Sequence, residues 1–105
     1  MKAQETTHFD ITEMADNARA AAALLKQLSN QHRLLILCLL MDTELSVGDI
    51  HKQTDLSQSS LSQHLGSLRD AGLVKTRRES QSIYYSLDGE EAIQIIEVLH
   101  LSLIH

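Results

Sequence analysis

A leucine repeat at helical spacing, Leu61, Leu65 and Leu68, stops at Gly72 and runs directly into two β-branched or aromatic segments. That change of pattern constrains the chain more than any other feature. The leucines predict a helix from Gln58 to about Asp70, capped by Ser57 and ended by Gly72. The segments Leu73-Val74-Lys75-Thr76-Arg77 and Ser82-Ile83-Tyr84-Tyr85-Ser86-Leu87, joined by Arg78-Glu79-Ser80-Gln81, predict a β-hairpin with a basic, polar tip.

Upstream, Ser46 offers an N-cap with Asp49 three residues on, which predicts a short helix from Val47 to Gln53. Thr54, Asp55 and Leu56 then form a tight connection. Two short helices about three residues apart, followed at once by a hairpin, have the order of a helix-turn-helix with a wing. Earlier still, Met14, Ala18, Ala21, Ala22, Leu25 and Leu28 recur at three- and four-residue steps, predicting a helix over Asp10 to Gln27 with a smooth, Ala-rich face. Ser29 or Asn30 caps the next helix, whose Leu34 to Leu40 are apolar nearly all the way round and are expected to be buried. The chain closes on a stripe of Ala92, Ile93, Ile96, Leu99 and Leu103 in a helix expected over Gly89 to His105. The fold class is therefore mainly α with a β-hairpin wing: residues 10–105 form one winged helix-turn-helix domain, and residues 1–9, polar and unpatterned, form a flexible arm.

Aromatic residues make up 3% of the 105-residue chain and Pro is absent, so the core is built from Leu, Ile, Val and Ala, a composition suited to packed helices. The longest apolar stretch, Leu34 to Met41, is far shorter than the roughly 18 residues of a membrane span, and a cytoplasmic protein with no membrane partner is expected. The net charge of −5 argues against indiscriminate coating of nucleic acid. Its distribution is uneven. Residues 57–87 carry four basic and two acidic side chains, whereas the segments on either side are net acidic.

The basic segment holds the candidate site. With the leucines turned inward, Gln58, Ser59, Ser62 and Gln63 face outward near the start of their helix. Gln bonds adenine in bidentate fashion, Ser bonds several base edges, and a helix N-terminus supplies N–H groups for phosphate. Ser57 as a simple cap and the Ser/Gln residues as an ordinary solvated face is the competing reading. Against it stand the lack of Glu and Lys on that face and the flanking Arg69, Lys75, Arg77 and Arg78.

The runs Leu34-Leu35-Ile36-Leu37, Glu44-Leu45-Ser46-Val47-Gly48-Asp49-Ile50, Leu56-Ser57-Gln58-Ser59-Ser60-Leu61-Ser62-Gln63-His64-Leu65, Leu68-Arg69-Asp70-Ala71-Gly72-Leu73-Val74 and Ile83-Tyr84-Tyr85-Ser86-Leu87 resemble the ArsR/SmtB family over roughly Leu24 to Leu103. The resemblance implies a homodimeric regulator of double-stranded operator DNA. It carries DNA contact onto Ser57, Gln58, Ser59, Ser62, Gln63 and His64 in the helix and Arg77, Arg78 and Gln81 in the wing, with His64 serving either DNA or helix packing. The family's wing tip carries Gly-Arg where this chain has Ser80-Gln81, which leaves Arg77 and Arg78 as the wing charges.

Metal-binding relatives use a Cys-x-Cys in the third helix or four ligands in the last. Here the third helix reads Ser46-Val47-Gly48, and the four places fall on Gly89, Glu91, Ser102 and His105, so no metal site and no cofactor is expected. The sequence is most similar to the HlyU/BigR/YgaV-like branch, which senses oxidants or persulfide through two cysteines. Cys38 stands at the first position and Ile104 at the second, so Cys38 is a candidate thiol sensor that forms no disulfide within the chain. A buried, inert core cysteine is the alternative.

No nucleophile elbow, Gly-rich phosphate loop or His-Glu-x-x-His motif is present, so an enzyme is not expected. The first and last helices supply the expected dimer interface, through Ala18, Ala21, Ala22 and Leu25 and through Ile93, Ile96, Leu99 and Leu103. The other reading of these stripes is a protein-interaction module without specific DNA binding, and a competing DNA-binding protein is a further candidate partner.

Overall fold

Each described α-helix starts where a side chain or a glycine can stand outside the helical conformation. The computed structural model describes the backbone of residues 10–104 and the side chains of residues 10–102. Helix α1 (Ile11–Leu28) begins at Asp10, whose carboxylate accepts from the Thr12 N–H at 3.0 Å. Helix α2 (Gln31–Leu39) begins at Asn30, whose side chain accepts from the N–H groups of His32 and Arg33. Ser46 and Ser57 cap α3 (Val47–Lys52) and α4 (Gln58–Asp70), accepting from Asp49 and Ser60 at 3.1 Å each. These caps satisfy N–H groups that the helices cannot bond internally.

Helix α4 ends in a Schellman turn. The Leu73 N–H reaches back to the Leu68 carbonyl and that of Gly72 to Arg69, both at 3.0 Å, with Gly72 in the left-handed region at φ 77°. Leu68 and Leu73 are both buried beside this turn, so the stop that aims the chain into the sheet is locked by the core.

The sheet has three strands, not two. Strand β1 (Leu45–Ser46) pairs antiparallel with β3 (Ser82–Leu87), Leu45 opposite Tyr85 and Ser46 opposite Tyr84, and β2 (Val74–Glu79) flanks β3 on its other side. Two residues carry no readable alternation, so the sequence pattern gave no sign of β1. The hairpin is also longer than expected. Arg78 and Glu79 belong to β2, Leu73 does not, and the turn is just Ser80 and Gln81, with Ser80 left-handed at φ 57°. Helix α5 (Glu90–Leu99) starts after Gly89 and passes into a π-helical turn over His100–Ile104 where one continuous helix was expected.

The core joins Leu28, Ile36, Leu37, Cys38, Leu40, Ile50, Leu61, Leu65, Leu68, Leu73, Val74, Tyr85, Ala92 and Ile96, drawn from the sheet, its connections and the five described α-helices. Helix α2 is less enclosed than its composition predicts: Leu35 is 42% exposed and Leu34 and Leu39 are half-buried. A protomer this thin has no layer to place over that side of α2. Helix α1 goes further. Of its residues only Leu28 is buried, and most of the helix stands clear of the protomer. No described helix is long and apolar enough to cross a membrane.

Candidate nucleic-acid interface

With Leu61, Leu65 and Leu68 buried, the opposite side of α4 presents Gln58, Ser59, Ser62 and Gln63, all exposed, next to the exposed cap Ser57. The Ser57 hydroxyl oxygen is engaged by the Ser60 N–H, which leaves its own proton to donate. A shallow groove follows the later turns of the helix, lined by Gln27, Ser62, Gln63, Gly66, Ser67 and Asp70. Arg69 at the end of α4 and Lys75, Arg78 and Gln81 in the hairpin are exposed, and Arg69 and Arg78 make no ion pair among the described residues. The exposed side chains of α4 and the hairpin therefore combine short neutral hydrogen-bonding groups with cations, a chemistry suited to base edges and phosphates.

His64 does not share that face. It is half-buried, and its ring centroid lies 5.8 Å from that of His32 at the start of α2, tilted by 36°. Burial, together with the nearby Arg33 and His32, pulls its pKa below the ordinary histidine value. On the helical wheel position 64 lies about 40° beyond Leu68, at the edge of the inward arc, where the imidazole reaches His32 of α2. Of the two roles open to it in the sequence, the geometry favours helix packing.

Arg77 departs most from expectation. Instead of standing free with Arg78, its guanidinium is held by Glu44: Nη2 donates to Oε1 at 2.8 Å and Nε to Oε2 at 3.1 Å. Nη1 donates to Glu79 at 3.2 Å, and the group lies 4.8 Å from the Tyr84 ring centroid, within cation–π distance. The hydrogen bond from Arg77 holds the Glu44 carboxyl below its usual range, while the bonds to Glu44 and Glu79 hold Arg77 protonated even more firmly than usual. Strand alternation explains why adjacent arginines differ. Arg77 lies across from Tyr84 on one face of the sheet, and Arg78 across from Ile83 on the face that carries Tyr85 and Val74 into the core. Glu44 and Tyr84 went unnoticed in the sequence because their relation to Arg77 depends on β1.

On the expected assembly face, Ala18, Ala21, Ala22 and Leu25 are exposed along α1, and Ile93 and Leu99 are half-buried on α5. Ile96 is a correction: it is 0% exposed within the protomer's own core, so it supports α5 from beneath and presents nothing to a partner. The side chain of Leu103 lies outside the described residues, as do the 1–9 arm, Ile104's side chain and His105. Met14 of the α1 stripe is also exposed, and the structure adds two outward apolar residues outside the expected stripes, Val98 on α5 and Leu101 in the turn beyond it, both more than 60% exposed. Cys38 is buried in the core, and burial raises its pKa, keeping it a neutral thiol. Among the described residues no three His, Cys, Asp or Glu side chains converge to hold a metal ion.

Comparison with known proteins gives concordant matches. Residues 30–76 match the sequence profile described as bacterial regulatory protein, arsR family. The transcriptional activator HlyU of Vibrio cholerae is 50% identical over 88% of this chain and 85% of its own length. The structure of reduced HlyU from Vibrio cholerae superposes with a TM-score of 0.86 at 47% identity, covering 90% of this chain and all of that one. The biofilm growth-associated repressor of Xylella fastidiosa is 38% identical over 95% of this chain and 88% of its own. A possible ArsR-family regulator of Mycobacterium bovis, described as a homodimeric winged helix-turn-helix DNA-binding domain, superposes with a TM-score of 0.76 at 29% identity, covering 91% of this chain and 88% of that one.

Proposed function

The chain belongs to the ArsR family of bacterial regulatory proteins, DNA-binding transcription regulators and not enzymes, and from that premise we propose that it binds an inverted-repeat operator as a homodimer. One observation carries the reading. The outward side of α4 offers Ser57, Gln58, Ser59, Ser62 and Gln63, uncharged and exposed, and the exposed Arg69 and Arg78 make no ion pair among the described residues.

In this reading Gln63, Ser62 and Gln58 meet base edges in the major groove, while Ser57, Ser59 and the α4 N-terminus meet phosphate. Arg69, Lys75, Arg78 and Gln81 set the protein on the backbone. The dimer forms through Ala18, Ala21, Ala22 and Leu25 of α1 with Ile93, Val98 and Leu99 of α5. Burying α1 gives the thin protomer the second layer it lacks, and a two-fold axis sets two α4 helices on successive major grooves, roughly 34–36 Å apart. Residues 10–105 act as one domain in the cytoplasm.

The HlyU relative is named an activator and the Xylella relative a repressor. This chain can act in either direction by occupying DNA, as a repressor or as an anti-silencer that displaces a competing DNA-binding protein. With Cys38 buried, its response to oxidant or persulfide is single-thiol or absent.

Fluorescence anisotropy tests the reading, comparing DNA from upstream of the gene with scrambled DNA at two salt concentrations, before and after a persulfide donor. Salt-sensitive preference for the native DNA is expected, and it should survive the reagent. Loss of preference on treatment would restore Cys38 as a sensor. No preference at all would favour the protein-interaction reading of the α1 and α5 faces.

A further inference from the structure

We propose that Arg77 positions the wing and does not touch DNA. Glu44 acts with it as the other end of a strut that fixes the hairpin against the strand leading into the helix-turn-helix. This inference rests on the DNA-binding reading above.

The chain reaches this arrangement through the sheet register. Ser46 lies opposite Tyr84 and so does Arg77, so β1 and β2 flank the same residue of β3. Two residues before Ser46, Glu44 continues the same face by strand alternation. The Glu44 carboxylate therefore meets the Arg77 guanidinium across the edge of Tyr84, 33 residues apart in sequence, through bonds of 2.8 and 3.1 Å.

An isolated surface ion pair does little, but this one is forked, joined by a second carboxylate and seated on an aromatic ring, so the guanidinium is held in plane and in position. It links the two outer strands over the middle one. Beyond it the hairpin continues only through Arg78, Glu79 and a two-residue turn, so the orientation of β2 at Arg77 aims Arg78 and Gln81.

The electrostatics argue against Arg77 as a phosphate contact. Two carboxylates already engage the Arg77 guanidinium and, with Lys75 two residues earlier on the same face also acting on Glu44, the cluster is close to neutral, so it offers a phosphate little net attraction and an arginine whose donors are already bonded. Taking Arg77 from Glu44 would also leave that carboxylate facing DNA without its partner. Arg78, on the opposite face with no described ion pair, carries no such penalty.

The test is anisotropy titration of the upstream DNA with the full chain carrying R77M, E44Q or both, over a series of salt concentrations, together with hydrogen exchange of the hairpin amides. A strut predicts that each single variant weakens binding about three- to fivefold, the scale of a forked exposed pair. The double variant should be no weaker than the weaker single, the salt slope should stay unchanged, and hairpin exchange should be faster in all three. A phosphate contact predicts a slope lowered by about 0.9 for R77M and tighter binding for E44Q, which loses a negative charge near DNA. Either result overturns the proposal, as does unchanged affinity in both singles, which would reduce the pair to a surface contact. If the wild-type chain itself shows no preference for the upstream DNA, the DNA-binding reading fails, and this inference falls with it.

Discussion

Ser67, in the third turn of α4, donates a 3.1 Å hydrogen bond to the side-chain oxygen of Gln27, 40 residues earlier at the end of α1. The same end of α1 is clamped by Arg33, whose Nε and Nη2 donate to the carbonyls of Gln27 and Lys26 at 2.9 and 3.2 Å. A cation on the last carbonyls satisfies acceptors that the helix leaves open. The helix proposed to join the protomers is thus tied directly to the helix proposed to read DNA.

That tie is measurable. Ser67→Ala and Gln27→Ala should each destabilise the protein by about 0.5–1.5 kcal/mol in urea unfolding, the net worth of a partly buried hydrogen bond. The double variant should lose less than the two separate losses together. Strict additivity would show that the two side chains do not interact in solution.

Gln63→Ala and Arg78→Ala should fail in different ways. Loss of Gln63 is expected to relax base preference at one operator position by about 1–3 kcal/mol and leave binding to scrambled DNA unchanged. Loss of Arg78 should weaken all sequences alike and lower the salt slope by about 0.9. Competition titrations with operator variants distinguish the two, and exchanged phenotypes would mean that the face is misassigned.

His64 makes stability depend on pH. Its folded-state pKa lies below the ordinary value of about 6.5, so the unfolded chain binds more protons in the interval between the two. The stabilisation from neutral His64 is therefore complete above about pH 6.5 and is lost as pH falls below it. His64→Gln should reduce the drop in urea midpoint between pH 7.5 and pH 5.5. An undiminished drop would assign the acid sensitivity to other groups.

Cys38 should be slow to react. A thiol that is 8% exposed, with its pKa raised by burial, offers little accessible thiolate, so a disulfide reagent should modify the native protein at least about tenfold more slowly than the urea-unfolded chain. Comparable rates would show that the core opens readily around α2.

Ser80→Gly should stabilise the wing. A non-glycine residue at φ 57° costs about 1–2 kcal/mol, partly offset by the greater freedom of glycine in the unfolded chain, leaving about 0.5–1 kcal/mol in favour of the variant. Thermal unfolding would register the gain. A loss would mean that the Ser80 side chain contributes more than its backbone conformation costs.

The elements legible in the sequence were those whose causes are local. Asn30, Ser46 and Ser57 cap helices because their short oxygen-bearing side chains reach N–H groups two or three residues on, and Gly72 ends α4 because it adopts a left-handed backbone without strain. The spacing of Leu61, Leu65 and Leu68 likewise determined which side of α4 turns outward, and so which serines and glutamines the candidate site contains. Tertiary structure decided what depends on distant partners. Strand β1 exists because β3 offers it an edge, Arg77 is withdrawn because register brings Glu44 beside it, and Ile96 and Val98 divide between core and surface by where α5 meets the sheet and helices. Capping hydrogen bonds and helical periods are set within a few residues, whereas charge pairing, burial and hydrogen bonds such as that from Ser67 to Gln27 are set by which segments arrive side by side. The sequence alone could therefore define which side of α4 turns outward, but not which nearby charges are paired.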